Sequence, residues 1–302
     1  MPSDLSGQPL ALLTIHAHPD DESSKGAGSV ARYAAEGVKT VLVCCTGGEA
    51  GDILNPAMDT PEVRADLPAV RRGELADATA IIGYDEVVML GYRDSGMPDS
   101  ETNADPRCFA QAPLDEAVGR LVDVIRRVRP QVVVTYPQDQ DGYPHPDHLR
   151  VYEITGPAIA AAADPAAYPA AGEPWTVSKV YCSTWSRARI VATHEKFLEM
   201  GLESPFDAGW FEGPGQDDQI TTRIDTSAVA DVRRRALLAH ATQVDPTSRF
   251  WFGLPDEVAD AVYPVDDFVL VSSLVPASIP EDDLFASVRS APVGNPSDPF
   301  AP

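Results

Sequence analysis

Residues 10–22 read Leu10-Ala11-Leu12-Leu13-Thr14-Ile15-His16-Ala17-His18-Pro19-Asp20-Asp21-Glu22. The apolar run from Leu10 to His16 has the composition of a buried strand, and it must end where proline and paired aspartates break a ladder. A histidine and two carboxylates are thereby set at a strand's carboxyl end. Residues from about Gly26 to Glu36 then read as a helix that Gly37 stops, and Lys39 to Cys45 reads as a second strand. This β-α-β order implies parallel strands. A further helix is expected over Glu62 to Ile82, interrupted or kinked at Pro68 and ended by Gly83, with a third strand from Glu86 to Leu90. Leu114, Val118, Leu121, Ile125 and Val128 recur at helical spacing ahead of Pro130, and Gln131 to Tyr136 is the fourth strand. The alternation predicts an α/β fold with a doubly wound, mostly parallel, Rossmann-like sheet.

After the fourth strand, Pro137 to Pro144 is rich in turn formers, and His145-Pro146-Asp147-His148 opens a helix running toward Ala163. Proline is favourable at a first helical position, where its missing N–H would have no partner. Both charged motifs therefore fall at carboxyl ends of strands, the edge where open α/β sheets bind ligands. Later come a strand from Lys179 to Thr184, a helix from Arg187 to Glu199 and an amphipathic stretch from Ser227 to Ala241, whose mutual arrangement the sequence does not order. The chain divides on this reading into a metal-binding core over 1–185, C-terminal additions over 186–280 that complete the substrate pocket, and an irregular tail over 281–302 rich in Pro, Ser and Asp.

Composition narrows the function classes. Of 302 residues, 46 are Asp or Glu and 23 are Lys or Arg, a formal charge of −23 that repels phosphate backbones and anionic leaflets. Nucleic acid and membranes are excluded as expected partners. The four cysteines Cys44, Cys45, Cys108 and Cys182 form no Cys-x-x-Cys pair, which argues against a thiolate zinc site or a disulfide framework. No basic segment precedes the short apolar run at Leu10, so the expected compartment is the reducing cytoplasm.

Metal-dependent hydrolases need imidazole and carboxylate ligands, an open coordination position and a nearby base that is not itself a ligand. The two motifs supply these types: His18 with Asp20 or Asp21, and His145 or His148, three apart at a helix start. Imidazole and carboxylate without thiolate suit Zn2+, and Fe2+, cobalt or manganese are also admissible. Spacing alone does not separate the two aspartates or the two histidines. Either motif by itself recurs by chance, but two on one sheet edge converge. His16 either supports the site or packs as a core histidine, and His194 and His240 read as solvent-facing or structural. Gly47-Gly48-Glu49 lacks the glycine pattern and lysine of a phosphate loop and reads as a flexible active-site turn.

The run His16 to Glu22, the segment Arg71-Arg72-Gly73-Glu74-Leu75 and His145-Pro146-Asp147-His148 together resemble the LmbE-like (PIG-L) zinc N-deacetylase superfamily. Ser23-Ser24-Lys25-Gly26, Gly47-Gly48-Glu49 with Ile53 to Met58, Arg93-Asp94-Ser95-Gly96, His240-Ala241-Thr242-Gln243 and Pro280 to Phe285 are similar to its branch of mycothiol-conjugate amidases. The deacetylase branch, expected to lack a lysine at the position of Lys25, is less similar. The resemblance implies an LmbE-like fold and a hydrolase acting on a small-molecule thiol conjugate of a pseudodisaccharide. It implies His18, Asp21 and His148 as metal ligands and Asp20 as general base. Tyr143 and His145 would stand beside the developing oxyanion, with Asp147 orienting the second motif. His145 is the first candidate for the acid that protonates the amine and Asp20 the alternative. Lys25, Glu49, Arg71, Asp94 and Gln243 would contact substrate, Arg71 and Asp94 on its sugar side. Gln138 to Gly142 is more acidic than the resemblance leads one to expect.

Overall fold

The structure, a computed structural model, describes residues 1–138, 143–212 and 215–289. The elements in chain order begin β1 (Ala11–His16), α1 (Asp21–Ser24), α2 (Ala27–Ala35), β2 (Lys39–Thr46), α3 (Pro61–Ala65), α4 (Leu67–Ile82) and β3 (Glu86–Tyr92). They continue with α5 (Leu114–Val128), β4 (Val132–Thr135), α6 (Pro146–Ala163), β5 (Lys179–Thr184), α7 (Arg187–Glu199), β6 (Thr222–Asp225), α8 (Asp231–Ala239), α9 (Arg249–Phe252), α10 (Asp256–Val262) and β7 (Val265–Ser273). The single helix expected over Glu62 to Ile82 is two, parted at Asp66, whose side chain caps α4 by accepting from Ala69 N. Pro68 stands in the first turn of α4, where it starts a helix instead of kinking one.

The described strands form one sheet in the order β3-β2-β1-β4-β5-β7-β6. β1 pairs parallel with β2 and β4, and the parallel set extends to β3 and β5; β7 alone runs antiparallel to its neighbours. Strand order reverses between β1 and β4, which opens a crevice at their carboxyl ends. Period two divides the core. Ala11, Leu13 and Ile15 pack with Leu121, Ile125, Val151 and Ile154 from α5 and α6 on one face. Leu12, Val132 and Val134 pack with Val30, Tyr33, Ala78 and Ala236 from α2, α4 and α8 on the other.

Residues 281–289 contain turns and no regular element, yet Leu284 and Phe285 are buried in the second core and Glu281 pairs with Lys179 of β5. This part of the expected tail is thus packed against the sheet. Residues 139–142 of the acidic approach to the second motif and residues 290–302 lie outside the described residues. No described helix is long and apolar enough to cross a membrane.

Candidate metal and active site

The chain leaves β1 through Ala17 and His18 and turns sharply at Asp20, which takes φ 113° and ψ −27°. A non-glycine residue is rare in that region and persists only when its surroundings hold it. Four contacts hold Asp20. Its N–H donates to Glu22 Oε2 at 2.9 Å, and its carbonyl accepts from Ser23 N and Ser24 N. Arg71 donates to Pro19 O at 2.6 Å and to Asp20 Oδ2 at 3.2 Å. Glu22 is itself fixed: Oε1 accepts from Ser23 Oγ and from His240 Nε2, each at 2.6 Å.

The turn brings His18 into a nest of carboxylates. His18 Nε2 lies 3.1 Å from Asp147 Oδ2 and 3.6 Å from Asp94 Oδ1, while Nδ1 lies 3.5 Å from Asp21 Oδ2. His148 Nε2 approaches the same Asp21 oxygen at 3.4 Å. Two buried groups result, His18–Asp21–His148 and His18–Asp94–His145, in each of which the donor atoms lie within 4.8 Å of one another. Burial disfavours a charged imidazole, yet hydrogen bonds to Asp147, Asp21 and Asp94 hold His18 well above its ordinary range. Burial would raise Asp21, but Lys25 and His148 hold it well below the usual carboxylate value. Burial, reinforced by Asp21 and opposed by Arg71, pushes Asp20 up to about 6. This much buried negative charge around one ring, with imidazole and carboxylate donors converging, fits a divalent cation.

His145 caps α6: its Nδ1 accepts from Asp147 N at 3.2 Å, and its ring meets His18 edge-on at 4.5 Å. Burial and His18 push it down to about 4. Asp147 is wholly buried and ties the two motifs together, since it accepts from Ser95 N and Ser95 Oγ as well as facing His18. Tyr143 stands at the mouth, 53% exposed, with its ring 5.5 Å from His148. His16 is buried, and its Nδ1 contacts the hydroxyl of Tyr136, whose ring lies 4.7 Å from His148. It thereby backs the site from the core.

His18, Asp20, Asp21, Lys25, Arg71, Asp94, Tyr143, His145, His148 and Gln243 line one open cavity. Within it Lys25 Nζ faces Asp21 Oδ1 at 2.5 Å, and Gln243 Nε2 donates to Asp52 O. Arg71 also donates to Gly48 O, at a glycine with φ 65° where an added Cβ would strike the guanidinium. Glu49 does not line the cavity; its Oε2 is buried without a hydrogen-bond partner among the described residues. His240 is structural, as one of its two readings has it, and its partner is the active-site turn. The sequence reading assigned no role to Glu22, Ser95, Tyr136, Leu237 or Trp251, the last two being apolar walls of the cavity. Glu22 and Ser95 carried a local signal, their places in the His18 run and in the Arg93-Asp94-Ser95-Gly96 segment.

Convergent imidazoles and carboxylates at the switch point of a doubly wound sheet define a metal-dependent hydrolase. Residues 13–159 match the family model PIG-L, GlcNAc-PI de-N-acetylase. The chain is 42% identical over 289 residues to the mycothiol S-conjugate amidase of Streptomyces coelicolor, covering 93% of this chain and 98% of that one. It is also 42% identical over 290 residues to the 1D-myo-inositol 2-acetamido-2-deoxy-alpha-D-glucopyranoside deacetylase of Streptomyces avermitilis, covering 92% and 97%. The N,N'-diacetylchitobiose deacetylase of Pyrococcus horikoshii has a similar fold, with a TM-score of 0.58 at 17% identity over 86% of this chain and 83% of that chain. The chain belongs to the PIG-L (LmbE-like) family of metal-dependent N-deacetylases and amidases. Overall identity does not set the amidase branch above the deacetylase branch.

Proposed function

We propose that the protein is a zinc-dependent amidase that cleaves the bond between the glucosamine nitrogen and the cysteinyl carboxyl of mycothiol S-conjugates, releasing an N-acetylcysteine S-conjugate and glucosaminyl-inositol. The observation that carries the chemistry is the pairing of a ligand-type group with a separate carboxylate on the same turn. His18, Asp21 and His148 would hold the ion; Asp147 engages His18 Nε2 and leaves Nδ1 toward Asp21 and His148, as carboxylate partners of metal-binding histidines do. When bound, zinc polarises the scissile carbonyl and acidifies water. Asp20, which faces Arg71 and lines the cavity, takes the proton from the attacking water and returns it to the amine. His145 accepts from Asp147 N at Nδ1, so its neutral ring carries the proton on Nε2 and donates to the oxygen of the collapsing amide. This arrangement favours Asp20 over His145 as the acid. Tyr143, at the mouth, is a second donor to that oxygen.

The substrate assignment rests on similarity to the Streptomyces coelicolor amidase over almost the full length of both chains. The second reading, deacetylation of N-acetylglucosaminyl inositol, is favoured by the equal identity of the Streptomyces avermitilis enzyme. Turnover of the mycothiol bimane conjugate and of N-acetylglucosaminyl inositol, measured side by side, decides between them. A kcat/KM at least tenfold higher for the conjugate is expected, and the reverse ratio establishes the deacetylase.

A further inference from the structure

Behind the wall made by Leu237 and Trp251 lies a second cavity, lined by Trp185, Phe206 and Phe250 and by Arg189 and Arg233. Leu237 and Trp251 line both spaces. Gly28, three residues beyond Lys25 in the chain, lines the second. Arg71 and Asp94, by contrast, line only the first.

One arginine of this cavity has no carboxylate of its own. Four arginines line it, and three have carboxylate partners: Arg189 with Asp266, Arg234 with Asp256 and Asp260, and Arg249 with Glu203. Arg233 has no hydrogen bond or ion pair with any described residue, and its Nε is buried without a partner. Its guanidinium instead lies 4.9 Å from the ring of Trp185 and 5.6 Å from that of Trp251. The two carboxylates that line the cavity are committed, Asp260 to Arg234 and Asp266 to Arg189 and to Ser29 N and Oγ. Burial and the neighbouring Arg189 pull Arg233 down to about 9, against the charge of Asp266. Arg233 is half-buried with its Nε cut off from water, and stacking on indole offsets part of the cost of holding there a cation that no carboxylate pairs directly. An arginine held against aromatic rings without a carboxylate partner of its own can take an anionic group of a ligand that enters the cavity.

We propose that this cavity is the subsite for the substituent on the acyl side of the substrate, and that it selects substituents joining an aromatic or apolar body to a carboxylate or sulfonate. The body lies against Trp185, Phe250 and Trp251, and the anion pairs with Arg233. An acetyl group is too short to leave the first cavity, so the subsite matters only for the larger acyl groups of a conjugate. The inference therefore rests on the amidase reading.

The test compares kcat/KM for mycothiol conjugates bearing S-benzyl and S-(4-carboxybenzyl) groups, with N-acetylglucosaminyl inositol as a third substrate. Wild-type enzyme is expected to prefer the carboxybenzyl conjugate by about tenfold or more, the scale of one charge-assisted hydrogen bond. Arg233→Met brings that ratio to about one, and Arg233→Lys retains part of it, a rescue that loss of folding in the methionine variant could not mimic. A ratio near one in wild type, or an unchanged ratio in Arg233→Met, overturns the subsite. Turnover of the acetyl substrate alone overturns the amidase reading. In that event tryptophan fluorescence titration with N-acetyl-S-(4-carboxybenzyl)cysteine and its S-benzyl analogue still judges the cavity. Preferential binding of the former that Arg233→Met abolishes supports the anion site, and equal binding rejects it.

Discussion

Asp20 and Asp21 are adjacent carboxylates in opposite settings: one faces Arg71 on a left-handed turn, the other lies between His18, His148 and Lys25. Asp20→Asn removes basicity and keeps size, so it should retain the metal while kcat falls by at least about 100-fold, the usual scale of a general base. Asp21→Asn should lose metal by elemental analysis and recover some activity when zinc is added. If Asp20→Asn were the variant that lost metal, the two roles would be exchanged. The pair His240–Glu22 makes a second residue-scale prediction, because Glu22 holds the Asp20 N–H and is buried, with His240, Ser23 and that N–H sharing its charge. His240→Leu should cost about 3 kcal/mol of stability, as breaking a buried pair does, and lower kcat with metal retained; His240→Gln, which can still donate, should restore most of both. Melting temperature, metal content and kcat measured on both variants check this. The two aspartates and both histidines of the second motif were legible in sequence because each motif is local. The His240–Glu22 contact was not, since its partners are 218 residues apart and neither neighbourhood carries a mark of the other.

At the scale of elements, the parallel strands were readable because strands buried on both faces are apolar runs with turn residues at their ends, as in β1, β2 and β4. The C-terminal pieces were not. β6 buries only alternate residues and has 4 residues, and β7 is exposed near its end, so neither separates itself from a loop until paired. The α6 helix shows how an element that presents groups of the candidate site is anchored at its far end. Its first turn holds Asp147 and His148, while its last carbonyls, at Ala161 and Ala162, accept from the buried Arg126 of α5. The same guanidinium also bonds the carbonyls of Asp164, Ala167 and Tyr168 in the segment that follows. A cation at a helix C-terminus opposes the exposed carbonyl dipoles and satisfies them directly. Arg126→Met should therefore lower unfolding free energy by about 3 kcal/mol, because several buried acceptors lose their donor at once. Urea denaturation measures the loss. An unchanged midpoint would mean that water replaces the guanidinium without cost.

For the whole molecule, the segment 281–289 joins the two halves of the sheet's second face. Glu281 lies against β5, where Oε1 accepts from Lys179 Nζ and Oε2 from Tyr181 OH, each at 2.7 Å. Asp283 and Leu284 reach the hydroxyl of Tyr33 on α2, and Phe285 packs edge-on against the Tyr33 ring at 5.3 Å. β5 neighbours β4, which leads to the second motif, and α2 follows the first, so the clasp braces the scaffold beneath both. Lys179 and Glu281 are almost completely removed from water, where a pair gains little over a well-packed apolar replacement but a single charge left behind is very costly. Lys179→Met should accordingly destabilise the protein by about 3–5 kcal/mol, and Glu281→Leu by a similar amount. The double variant Lys179→Met with Glu281→Leu should recover most of that loss, leaving Tyr181 OH with Leu284 O alone and Ala286 O without the Lys179 donor, a deficit of about 1–2 kcal/mol. A double-mutant cycle in urea reads the coupling directly, and metal content with kcat shows whether the active site is intact. Additive single losses would mean that the two side chains act separately and that the pair does not hold the segment. Recovery of stability together with full metal content would show that the clasp braces the scaffold through its packing, with the ion pair setting only its register.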